Sequence, residues 1–150
     1  MVDDVHYRSM KARLIIDTLR LTEELTELPQ MQQEAAEFAA EAQRQRDEAK
    51  DLLEQIKAEA AANIRLMDVD ARKPRSETQI SSEILLDDTV REAVASLRNC
   101  EYDLSLWKSV ADGLRSKSAA IKVISDLIAA GYTSPQSIYS DRRTRPRERS

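Results

Sequence analysis

Two long stretches of this chain repeat their apolar residues at helical spacing, and that repetition restricts the fold more than any other feature. Met31, Ala35, Phe38, Ala42, Gln45, Ala49, Leu52, Ile56, Glu59, Asn63 and Leu66 step alternately by four and three. This is the spacing of a coiled-coil seam sustained for about five heptads. The seam is thin, because its alanines and the polar Gln45, Glu59 and Asn63 make weak knobs. A second stripe holds Val90, Val94, Leu97, Cys100, Leu104, Trp107, Ala111, Leu114, Ser118, Ile121 and Ile128, with most of the large aliphatics and the only tryptophan. Two glycines in 150 residues, 4% aromatics and 33% charged residues leave little for tight turns or a large private core. The expectation is an all-α protein of elongated helices with coiled-coil-like packing, burying their stripes against one another or against other copies.

The breaks follow from local chemistry. Residues 1–29 predict an N-terminal helix, with Tyr7, Leu14, Leu19, Leu21, Leu25 and Leu28 loosely spaced, that Pro29 ends or restarts. Residues 30–67 form the long acidic helix with a basic end, and 68–76 a basic loop that Pro74 takes out of helix. Ser76 with Gln79 makes a capping box for a short helix to about Leu86, and Asp87-Asp88 caps the long helix beyond. The unit 77–131 closes at Gly131, where a left-handed stop is expected, and 132–150 is an arginine-rich tail predicted to be disordered until it meets a partner.

The net charge of -4 is a sum of opposed blocks. Residues 23–59 carry eleven acids against four bases, or -7, whereas 141–150 carry five arginines against two acids, or +3. An acidic arm with basic ends suits a protein partner on the first and a polyanion on the second.

Catalytic patterns are missing from the sequence. His6 is the sole histidine and has no cysteine or clustered carboxylate at ligand spacing, so no metal or other cofactor is expected. Nucleophile elbows, phosphate loops and dinucleotide fingerprints need glycines that this chain lacks. Adjacent acids such as Glu23-Glu24 and Asp87-Asp88 point different ways on a helix, which suits capping and solvation better than acid–base work. Cys100 is alone and lies on the apolar stripe, where a thiol packs as a small hydrophobe. No apolar run approaches a membrane span and Met1-Val2-Asp3-Asp4 is too acidic for a signal peptide, so a non-enzymatic, cytoplasmic protein is expected.

The basic residues form three groups. Arg65, Arg72, Lys73 and Arg75 cluster at the end of the acidic helix and in its loop, Arg115, Lys117 and Lys122 in the last helix, and Arg142, Arg143, Arg145, Arg147 and Arg149 in the tail. Each alone is ordinary solvated surface. Repeated around an assembly, they become a belt that grips phosphates without reading sequence. Tyr7, Tyr132 and Tyr139 are the few candidates for base stacking.

The segment Asp112 to Leu127 resembles the C-terminal helix of the UvsY-like recombination mediators of tailed phages. The pattern Asp-x-x-basic-Ser-basic-x-x-Ala-Ile-Lys-x-Ile-x-Asp is present as Asp112, Arg115, Ser116, Lys117, Ala120, Ile121, Lys122, Ile124 and Asp126. Lys73-Pro74-Arg75-Ser76-Glu77 with Ile80, and Asp87-Asp88 followed by Val90-Arg91-Glu92-Ala93, resemble the loop, short helix and helix restart of that group. The similarity spans about residues 45 to 130.

The resemblance implies a non-enzymatic protein that forms rings of six or seven subunits through its C-terminal helix and binds single-stranded DNA. It also implies that the protein helps a RecA-class recombinase replace single-strand-binding protein. A Lys-x-Arg pair of the family falls at Lys57-Ala58-Glu59, so only the lysine is kept and Arg65, Arg72 or Lys73 would supply the second charge. With Arg75, Arg115, Lys117 and Lys122 these are the expected DNA contacts. Leu114, Ile121, Ile124 and Leu127 are the implied assembly residues, and Leu104 and Trp107 extend that set along the second stripe. Two other classes stay open: a helical phage scaffold or chaperone-like protein without DNA binding, and a sequence-specific regulator, disfavoured because no short helix-turn-helix stands out.

Overall fold

A computed structural model describes residues 4–69 and 74–132. They form four helices in the order α1 (Asp4–Ala12), α2 (Leu21–Met67), α3 (Glu77–Ile84) and α4 (Asp88–Ala129), with no strand among the described residues. The expected all-α architecture is therefore present. Among the described residues no helix is long and apolar enough to cross a membrane. Arg72, Lys73, Tyr139 and the five tail arginines lie outside the described residues.

The contacts divide the chain into two compact units. Among the described residues, one comprises 38–69 with 74–106 and the other 4–37 with 107–132, so α2 and α4 contribute to both. In the first unit, Leu53 and Ala60 of α2 pack with Val90 and Ala93 of α4, and Ile56, Ile84, Val94 and Leu97 close the cluster. Its local joints follow the side chains. Ser76 accepts from the Gln79 amide at 3.4 Å while the Gln79 side chain accepts from the Ser76 amide at 2.9 Å, the reciprocal box that starts α3. Asp87 caps α4, accepting from the amides of Thr89 at 2.8 Å and Val90 at 3.4 Å. Its bonds to the Thr89 hydroxyl and to these amides hold its carboxyl below the usual range.

In the second unit the buried residues are Met10, Leu28, Met31, Ala35, Trp107, Val110, Leu114 and Ile121, with Lys117 among them. The Tyr7 and Trp107 rings meet edge to face at 6.0 Å. At the C-terminus of α4, Tyr132 donates its amide to Leu127 O at 3.1 Å and Gly131 donates to Ile128 O at 3.0 Å, with Gly131 at φ 74°. This is a Schellman turn, which glycine adopts without the steric penalty of a Cβ.

Two expectations are corrected. Pro29 does not end a helix, because α2 runs through it. A proline inside a helix costs about 3 kcal/mol, and Leu28 and Met31 on either side are buried, so packing outweighs the missing hydrogen bond. The real break is residues 13–20, between α1 and α2.

The second correction concerns the α2 seam. Its inward stripe reads Leu28, Met31, Ala35, Phe38, Ala42, Ala49, Leu53, Ile56, Ala60 and Ile64, all buried or half-buried. Leu52 and Leu66, assigned to the seam by the heptad, are 52% and 69% exposed, and Glu59 and Asn63 are also exposed. A straight helix drifts about 20° per heptad, which over this length amounts to one residue position. The small alanine knobs do not force supercoiling, so the buried face follows the 3.6-residue turn. On the outer face Glu41, Arg44 and Glu48 form an ion-paired ladder in which Arg44 and Gln45 hold the Glu41 carboxyl down to about 2. All three side chains are exposed, so the ladder adds little stability.

The stripe assignment predicts that Leu53→Ala lowers the free energy of unfolding in urea by about 2–4 kcal/mol. Leu52→Ala should change it by less than about 1 kcal/mol. The heptad register predicts the reverse order.

Candidate nucleic-acid interface

The interface expected from the sequence rests on eight cations, six of them described, and the structure sorts them by what each already holds. In the first unit, Lys57 Nζ pairs with Glu54 at 3.0 Å and Arg65 with Glu77 at 3.0 Å. Arg75 is more firmly committed. Its guanidinium bonds Asp68 at 2.8 Å and Glu83 at 3.0 Å, and its backbone amide donates to the other Asp68 oxygen at 3.0 Å. The exposed pairs are worth roughly 0–1 kcal/mol each, so a phosphate could displace their carboxylates. Asp68 is largely covered, and its bonds to Arg75 close the turn into α3, so Arg75 is a structural residue and not a free contact.

In the second unit, Lys117 is overturned as a DNA contact. It is 4% exposed. Its ammonium donates to Arg13 O at 2.6 Å and Ile15 O at 3.0 Å and pairs with Glu24, so all three donors are taken. Burying an ammonium costs several kcal/mol unless paired and fully bonded, and here both conditions are met. Glu24 also accepts from the Asp17 amide at 3.2 Å. The strap of residues 13–20 is thereby latched to α4. Leu14 completes the seat: a Cβ at Gly113 would lie 3.0 Å from both its methyl carbons. That close approach accounts for a glycine inside a helix, where it costs about 1 kcal/mol relative to alanine. The sequence did contain the signal for Lys117, which stands three residues after Leu114 and four before Ile121, both fully buried.

Arg115 is exposed and paired to Asp112 at 2.9 Å, and Lys122 is exposed with no ion pair among the described residues. Lys108, absent from the contacts expected from the sequence, is also exposed, seven residues before Arg115 as Arg115 is seven before Lys122. At 1.5 Å per residue the three stand about 10 Å apart along one outer face of α4. Asp112 and Asp126 share that face at positions four beyond Lys108 and Lys122, so its balance in one chain is only +1.

Of the expected assembly residues, Leu104, Trp107, Leu114 and Ile121 are already buried within the single chain. Their burial is spent on the chain's own core. Ile124 is half-buried, and Leu127, 41% exposed, stands with Val123, 57% exposed, as apolar surface four residues apart on α4. A groove of about 350 Å³ has Thr18, Leu19, Leu25, Ser125, Ile128 and Ala129 in its walls. Among the described residues no group of three metal-ligating side chains comes together.

Compared with protein-family models, with curated proteins and with solved structures, the chain matches none.

Lys117→Met should strand Glu24 and two strap carbonyls, lowering unfolding free energy by about 3 kcal/mol or more. It should also open the bonds after Arg13 and Arg20 to trypsin. Glu24→Gln, which keeps an acceptor, should fall between this variant and the parent, and equal stability of all three would refute the latch.

Proposed function

We propose that this chain is a non-enzymatic recombination mediator of the UvsY-like kind, binding single-stranded DNA as a homo-oligomer and easing a RecA-class recombinase onto the strand in place of single-strand-binding protein. The resemblance of Asp112 to Leu127 motivates the reading. The observation that carries it is the division of labour on α4 in the second unit. Lys117 and Ile121 face inward and hold the fold, Lys108, Arg115 and Lys122 line the solvent face, and Val123 with Leu127 leaves apolar surface for another copy.

A face of +1 is a poor polyanion site in isolation. Several copies in one particle would place many such rows on one strand and convert weak contacts into avidity. The strand would stay bound while single contacts exchange, which admits a second protein without any bond chemistry. The acidic face of α2 repels phosphate and suits the protein partner.

A scaffold or chaperone-like protein without DNA binding is the second reading. It is favoured by the carboxylates that Lys57, Arg65, Arg75 and Arg115 already hold.

Fluorescence anisotropy with a labelled single-stranded oligonucleotide across a salt series separates the two. Binding should exceed that to duplex DNA and fall steeply with salt. Replacing Lys108, Arg115 and Lys122 together by Gln should make the log–log slope shallower by about 0.7 for each phosphate no longer neutralised. No binding at any salt, or equal affinity for duplex, contradicts the mediator and supports the scaffold.

A further inference from the structure

The outer face of α4 in the second unit carries its opposite charges in a symmetric order. Lys108 and Asp126 stand nine residues to either side of position 117, and Asp112 and Lys122 stand five residues to either side of it. All four are exposed, and Lys108, Lys122 and Asp126 hold no ion pair among the described residues. Beside them Ser116, Ala119, Val123 and Leu127 follow one another at steps of three and four, all exposed, so they share one stripe of the helix.

We infer that this face docks a second copy of the chain, whose α4 lies antiparallel to the first across a two-fold axis at position 117. The inference rests on the self-association proposed above and gives it a direction. Charge complementarity selects the occupant. In an antiparallel pair one register brings Lys108 to Asp126 of the partner subunit and, at the same time, Lys122 to Asp112 of the partner subunit. A two-fold contact is made twice, so two copies form four such pairs. Ser116 and Ala119 lie close to the axis, where small side chains let the helices approach, and Val123 and Leu127 are covered further along each helix. A parallel pair sets equal numbers level instead, so Asp112 stands beside its own copy. Lys108, Arg115 and Lys122 flank the stripe on one side only. The two-fold axis carries both flanks to the same edge of the pair, which doubles the row a strand would meet.

Charge exchange in the full chain, read by sedimentation equilibrium, tests the register. Lys108→Asp sets an aspartate against Asp126 of the partner subunit at both symmetric sites, and should raise the dissociation constant about tenfold or more. Asp126→Lys should do the same. The two changes combined in one chain should restore the parent's constant. Lys108→Asp combined with Asp112→Lys has the same net charge but opposes like charges at both levels, so it should stay dissociated. All these positions are exposed, and every variant should keep the parent's helicity by circular dichroism. Rescue by both double variants or by neither overturns the inference, as do single variants that associate like the parent; the proposed self-association then stands. A parent that is a single chain at every concentration overturns both.

Discussion

A single buried ammonium organises the second unit. Lys117 has three donors and meets three acceptors, two of them carbonyls of a strap that has no regular secondary structure of its own. The same strap supplies Leu14 to cover Gly113, and Thr18 and Leu19 to wall the groove. Without the latch there would be nothing to hold residues 13–20 against α4 except scattered apolar contacts. The charge costs several kcal/mol to desolvate. What it contributes is position, because only one placement of the strap satisfies every donor.

That placement divides the second-unit part of α4 into two faces with different duties. Inward, Leu114, Lys117 and Ile121 hold the chain's own fold. Outward, Lys108, Arg115 and Lys122 present charge at seven-residue intervals, and Val123 with Leu127 presents apolar surface. A helix that buries one side in its own core can still assemble, provided the copies meet on the other side. The proposed function depends on that second side.

Much of the architecture was legible because its signals were local. The capping box at Ser76, the Asp87 cap and the left-handed Gly131 are each read within four residues. The α4 stripe was legible because large aliphatics mark it, from Val90 to Ile121. The α2 stripe was read in register as far as Ala49 and slips by one position beyond it, at Leu52, Glu59 and Asn63, because an assumed heptad accumulates drift that a straight helix does not follow. Pro29 and Lys117 share one cause: tertiary packing overrode the local rule in each. The site was less legible than the fold because its cations are defined by their partners. Arg115 with Asp112 could be seen at i,i+3, but Arg65 with Glu77 and Arg75 with Glu83 meet only once α3 has turned back.

The central claim is that contacts too weak to act singly are multiplied by self-association through the outer side of α4. Sedimentation equilibrium at near-physiological salt tests it without any DNA. The expected result is a native particle of several times 17.0 kDa that falls apart when Val123 and Leu127 are both replaced by Asp, while helicity is retained. A parent protein that sediments as a single 17.0 kDa chain at every concentration would contradict it.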